Sequence, residues 1–140
     1  MDKKKIYSLL DLLTNYLQEL EEHLPKTIGE YNKNIEKQRF CERTLQLLIE
    51  ICIDVSYIIV KELKIGLPEE EESVFDRLSE KSIVSEEIYE KLKEMKKFRN
   101  ILIHKYKMID NSKVYLNATK HRHDFEEFKN EILAFLKKEK

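Results

Sequence analysis

Apolar residues recur at helical spacing over most of the chain. Ile6, Leu9, Leu10, Leu13, Tyr16, Leu17, Leu20 and Leu24 fall on one side of a 3.6-residue repeat, which predicts a first helix ending at or before Pro25. Thr27 followed by Glu30 reads as a capping box for a second helix running to about Leu63, just ahead of Gly66-Leu67-Pro68. Its apolar stripe is Ile28, Tyr31, Ile35, Cys41, Thr44, Leu45, Leu48, Ile51, Cys52, Val55, Ile58 and Ile59. A more polar seam on the same helix holds Arg43, Leu47, Glu50, Asp54 and Tyr57, with Glu50 and Asp54 four apart and so pointing the same way. Ser73 opens a short third helix to Lys81; the acidic run Glu69 to Glu72 ahead of it suits the positive end of a helix better than a metal. Ser85 caps a fourth helix predicted to reach about Met108. Asp110-Asn111-Ser112 reads as a turn and Val114 to Ala118 as a short helical piece. A last helix runs from about His121 to Lys138, with Phe125, Phe128, Ile132, Leu133, Phe135 and Leu136 on its apolar side. Four main helices with short connections, plus short helices, predict an all-α antiparallel bundle forming one domain over residues 1–140.

Composition agrees with that pattern. There are 2 Gly, 2 Pro and no Trp in 140 residues, with Glu, Lys, Leu and Ile abundant. Charged residues make up 38 % of the chain, yet the net charge is -1, so any nucleic-acid site has to be a local patch. Cys41 and Cys52 share one predicted helix about 16 Å apart along its axis, beyond the roughly 7 Å reach of a disulfide, which suits a reducing compartment. No apolar run is long enough to span a membrane, and the basic start Met1-Asp2-Lys3-Lys4-Lys5 lacks a signal-type core. A cytoplasmic protein is expected.

The chemistry concentrates in Arg99-Asn100-Ile101-Leu102-Ile103-His104-Lys105-Tyr106. At about 100° per residue, Ile88, Leu92, Met95, Leu102 and Ile103 form one apolar face, and Arg99 and Tyr106 project onto it. A charge facing a core is costly unless paired. Arg99 is therefore expected either to meet Glu50 or Asp54 across the bundle or to border a wet cleft. His104 lies on a second stripe with Lys93, Lys96, Lys97, Asn100 and Lys107, which is either a phosphate-attracting track or an ordinary solvated lysine face. Arg99 and His104 stand about 140° apart on a regular helix. A helix irregularity, or better a second copy of the helix across a homodimer interface, would bring them together.

These residue types suit RNA cleavage. RNA supplies its own nucleophile, the 2′-hydroxyl. A histidine can move the proton, and arginine's planar fork can hold the phosphate without a metal. Tyr106 could hold the phosphate or be a half-buried helix tyrosine with a wet tip. His121 and His123, two apart, do not face each other on a helix, so that pair reads as a basic helix start rather than a zinc site. Cys41 and Cys52 read as small core residues.

Arg99-x4-His104-x-Tyr106 resembles the R-x4-H-x-Y signature of HEPN-domain toxins, the HepT-like partners of minimal nucleotidyltransferase (MNT) antitoxins. Arg43 to Glu50, Ile53-Asp54, Phe98-Arg99-Asn100 and Tyr106 to Asp110 extend the likeness, which covers roughly residues 1–138 and is strongest at 39–60 and 92–110; segment 110–124 fits loosely. The resemblance implies a HEPN-like fold and a homodimeric, metal-independent endoribonuclease needing no cofactor. It implies that Arg99 and His104 are catalytic with Asn100 in support, and that an MNT antitoxin silences the nuclease by attaching AMP to Tyr106. An alternative uses the same helix without catalysis, as the dimer or partner interface of a helical binding module in which Arg99 is only an ion-pair member.

Overall fold

The computed structural model describes residues 1–69 and 72–139. Its helices are α1 (Lys3–His23), α2 (Ile28–Asn32), α3 (Ile35–Leu63), α4 (Val74–Glu80), α5 (Glu86–His104), α6 (Asn111–Thr119) and α7 (His123–Lys138), with a 3₁₀ turn at Tyr106–Met108. Four of them, α1, α3, α5 and α7, are long; the bundle predicted from periodicity is the one observed. No helix among the described residues is long and apolar enough to cross a membrane.

The centre of the bundle is α3, which packs against all six other helices. Apolar positions nearly all round its axis make that possible: Cys41, Leu45, Leu48, Ile49, Ile51, Cys52, Val55, Ile59 and Val60 are buried. Leu10, Leu13 and Leu20 of α1, and Phe128, Ile132 and Leu136 of α7, complete the core. Truncating any one of these leucines, isoleucines or phenylalanines to alanine is of the kind that costs about 2–5 kcal/mol. Both cysteines are free and buried; burial pushes the Cys41 thiol up to about 11 and the Cys52 thiol higher still. They serve as small apolar side chains.

Several predicted boundaries move. The single helix expected from Thr27 to Leu63 is two helices, broken at Lys33 and Asn34. Asn34 takes an extended backbone and caps α3 by accepting from the Lys37 N–H at 3.0 Å. Gln38, buried, donates through Nε2 to the carbonyls of Tyr31 and Asn32 that end α2. The break turns Ile28 and Ile35 out of the stripe predicted for them, and Ile35 is 58 % exposed. Asp110-Asn111-Ser112 is a helix start rather than a free turn: the Asp110 carboxylate accepts from the Ser112 N–H at 2.9 Å, and α6 spans 9 residues, extending beyond the expected piece at 114–118 at both ends. The last helix starts at His123 rather than His121. Ser73 caps α4 as expected, in a capping box completed by Asp76; Glu70 and Glu71 of the acidic run lie outside the described residues.

One core residue carries an uncompensated cost. Tyr31 is fully buried, its ring 5.3 Å from that of Tyr115, and its hydroxyl has no partner among the described residues. The Tyr115 hydroxyl, by contrast, donates to the Pro25 carbonyl at 2.7 Å. A buried hydroxyl without a partner costs about 1–3 kcal/mol. Tyr31→Phe is therefore expected to raise stability by about 1 kcal/mol, read as an increase in the urea midpoint at unchanged slope.

Candidate functional site

Arg99 sits on α5 where that helix crosses α3. Its Nη2 donates to the Glu50 carboxylate at 3.3 Å and its Nη1 to Asn100 Oδ1 at 3.3 Å. Of the two arrangements expected for this arginine, pairing across the bundle is the one present, with Glu50 as the partner. Gln46, one turn before Glu50 on α3, donates to the same carboxylate oxygen at 3.1 Å. The result is a short relay, Gln46 to Glu50 to Arg99 to Asn100, that fixes the plane of the guanidinium. Nothing in the sequence pattern singles out Gln46; only the i to i+4 spacing to Glu50 hints at it.

The pair lies at the rim. The Arg99 and Glu50 side chains are 27 % and 30 % exposed, so this is neither a dry core ion pair nor a free surface one. The buried Nε–H of Arg99 has no partner among the described residues. Asp54, one turn beyond Glu50, stays solvent-accessible as a residue. Its carboxyl is nonetheless held above the ordinary aspartate range, first by partial desolvation and then by the Glu50 charge, against the opposing pull of Arg99 and Lys5. A carboxyl raised in the fold binds protons more tightly there than in the unfolded chain. Stability thus falls as pH climbs from the unfolded aspartate pKa through the folded one. Asp54→Asn should accordingly raise the melting temperature at neutral pH, and the gain should shrink on acidification below the ordinary aspartate range.

The fourth helix stops short of its expected end at Met108. Its last residue is His104; Lys105 leaves the helical region at φ -128°, ψ 42°, and Tyr106 begins the 3₁₀ turn. Arg99 and Tyr106 therefore do not share one face of one helix as the periodicity predicts. His104 is exposed at the helix end and Tyr106 is 66 % exposed beyond it. The apolar face also thins toward this end: Ile88, Leu92 and Met95 are buried, while Leu102 and Ile103 are half-buried. The arginine and the histidine lie five residues apart on a regular stretch of helix, some 7.5 Å along the axis.

The lysine stripe is real but partly neutralised. Lys93 stacks over the Tyr89 ring at 4.5 Å and pairs with Glu90 at 3.1 Å. Lys97 approaches Glu94 at 3.4 Å with both side chains mostly in water, an arrangement of little energetic weight. Lys96 is half-buried and Lys107 is exposed on the 3₁₀ turn, off the α5 stripe.

At the other end of α5, Lys91 Nζ meets the buried Asp124 at 3.0 Å, with Glu87 and Glu127 at 3.4 and 3.9 Å. His121 and His123 both flank Asp124, at 3.8 and 3.7 Å. His123, Asp124 and Glu127 bring donor atoms within 4.8 Å of one another, a grouping that the sequence does not reveal because Asp124 is turned inward. The Lys91 ammonium already supplies the positive charge these carboxylates need.

Comparison with known proteins agrees with the architecture and with the family resemblance. A family model described as Ribonuclease HepT-like matches residues 13–132. The chain is 29 % identical over 111 residues to the tRNA nuclease HepT of Aphanizomenon flos-aquae, covering 79 % of this chain and 76 % of that protein. It is 30 % identical over 90 residues to the mRNA nuclease HepT of Shewanella oneidensis, covering 64 % of this chain and 68 % of the relative. Among solved structures, a tri-AMPylated Shewanella oneidensis HEPN toxin in complex with its MNT antitoxin superposes with a TM-score of 0.87 at 22 % identity, covering 96 % of this chain and 99 % of that one. The cytosolic protein YutE of Bacillus subtilis superposes with a TM-score of 0.85 at 20 % identity, over 99 % of this chain and 93 % of its own. With the fold matched along its length and the family model spanning most of the sequence, the chain belongs to the Ribonuclease HepT-like family.

Proposed function

We propose that this protein is the ribonuclease toxin of a toxin–antitoxin pair and that it cuts RNA without a metal, as a homodimer. The observation that carries the reading is the half-exposed Arg99 guanidinium, braced by Glu50 and Asn100, with His104 exposed farther along the same helix. Glu50 orients the arginine, and Asp54 adds negative potential beside it. The relatives are named for action on tRNA and on mRNA, so the substrate class carried over is RNA and no narrower.

The reaction is internal displacement. The 2′-oxygen forms a bond to phosphorus, the bond from phosphorus to the 5′-oxygen breaks, and a 2′,3′-cyclic phosphate and a 5′-hydroxyl result. The proton lost by the 2′-hydroxyl goes to a base, and an acid returns one to the leaving oxygen. Arg99 holds the phosphate oxygens and offsets the charge that builds on them. His104 transfers the proton. With two chains meeting along α5, one histidine can act as base and the other as acid, which is why the dimer is part of the proposal. Asn100 steadies the guanidinium, and Lys93, Lys96, Lys97 and Lys107 draw in the backbone phosphates.

Tyr106 is the proposed point of control. Its phenol stands in solvent, where an MNT-type antitoxin can transfer AMP from ATP to it: the phenol oxygen bonds to the α-phosphorus, pyrophosphate leaves, and the phenol proton is released. The added phosphate brings bulk and negative charge beside a site that must accept an RNA phosphate. Two measurements test the reading together. Purified protein should cut RNA in the presence of EDTA, and co-expression with an MNT partner should raise its intact mass in AMP-sized steps that vanish in Tyr106→Phe. Cleavage that requires added metal, or a mass gain that survives Tyr106→Phe, would overturn the corresponding half.

A further inference from the structure

The helices α5 and α6 both pack on α3 and leave a groove between them of about 640 Å³. Leu45, Ile49, Met95, Phe98, Leu116 and Phe125 supply its apolar surface. The volume falls in the range of about 300–1,000 Å³ usual for small-ligand sites. Its polar groups are unevenly placed. Lys91 and Asp124 neutralise each other at the α7 end, where Glu90 also lies, itself paired with Lys93. Lys113 marks the opposite end, because α6 starts just after the 3₁₀ turn that follows His104 and runs back toward Asp124, while Lys97 stands on the α5 side paired with Glu94.

That basic end adjoins the proposed cleavage site. Lys97 and His104 are seven residues apart on α5, so they stand about 20° apart around the helix and some 10 Å apart along it. Ile101, which lines the groove, lies between them. A strand whose phosphate reaches His104 thus passes a slot with Lys113 at its mouth, two aromatic rings and aliphatic side chains in its walls, and ion-paired charges at its far end. Asn117 also lines the slot; its Nδ2 is taken by the Lys113 carbonyl at 2.9 Å, leaving Oδ1 as an acceptor for a base edge.

We propose that this groove receives an unstacked nucleobase next to the cleaved bond and gives the enzyme its sequence preference. Single-stranded RNA is read in this manner elsewhere: the base leaves the stack, packs on apolar and aromatic side chains, and presents its edge to polar groups. The inference rests on the ribonuclease reading above and adds a specificity site to it. Leu116, 40 % exposed on the lip, and Asn117 are the two residues whose change should alter choice of sequence rather than chemistry.

The test is to digest a random-sequence RNA pool with wild type, Leu116→Glu and Asn117→Ala, sequence the cut ends, and confirm folding by circular-dichroism melts. Wild type should favour particular bases at one position flanking the cut, and both variants should flatten that preference several-fold while still cutting. An unchanged profile in both variants, or no flanking preference in wild type, overturns the base site and leaves the ribonuclease reading standing. Loss of antitoxin binding in Leu116→Glu with an unchanged profile would also overturn it, since the groove would then hold a protein segment. If wild type cuts no RNA at all, the ribonuclease reading fails and the base site falls with it.

Discussion

Replacing His104 with alanine should abolish RNA cleavage and leave the bundle folded. The side chain is exposed at the last residue of α5, so its loss removes no core packing. Proton transfer by a positioned side chain contributes about 10²–10⁴-fold to rate, and the fall should lie in that range or beyond if both copies act in one dimer. Cyclic phosphate product measured by single-turnover cleavage, beside a thermal melt matching wild type within a degree or two, is the expected pair of results. A mutant that cuts as fast as wild type would remove His104 from the chemistry.

Arg99→Ala is the second large effect, and it separates catalysis from a purely structural role. Loss of a group that offsets charge on the reacting phosphate costs about 10²–10³-fold in rate. The structural loss should be small by comparison. Arg99 and Glu50 are each partly in water, so the pair is screened and contributes far less than a dry core ion pair would. Glu50 would keep its bond from Gln46. The non-catalytic alternative expects the reverse: a large drop in melting temperature, and no cleavage to lose. Arg99→Lys should not restore full activity, because a single ammonium cannot span Glu50, Asn100 and a phosphate as the planar fork does.

The sequence made the long elements plain and hid the short-range events. Leu10, Leu13, Leu17 and Leu20 repeat cleanly and Pro25 follows, so α1 is legible from end to end. The start of α3 is not, because the apolar repeat runs unbroken through Lys33 and Asn34 and the capping choice of one asparagine overrides it. The end of α5 is harder still: no glycine or proline stands between Arg99 and Asp110 to announce it. The seam of Glu50 and Asp54 could be read because two acids four apart must face together, and it correctly offered a partner for Arg99. The α5–α6 groove could not, since concavity depends on how far apart two helices settle on a third.

The interruption at Lys105 has a consequence of its own. Because the last turn of α5 stops one residue earlier, the Tyr106 phenol rides on a short tether outside the packed body, next to a Met108 that is 70 % exposed. If Tyr106 is modified as proposed, a transferase would need to pry open no layer of the protein to reach it, and a nucleotide added there would extend outward rather than inward. On that proposal, modified and unmodified chains should share one melting curve, so silencing would not make the protein a substrate for quality control.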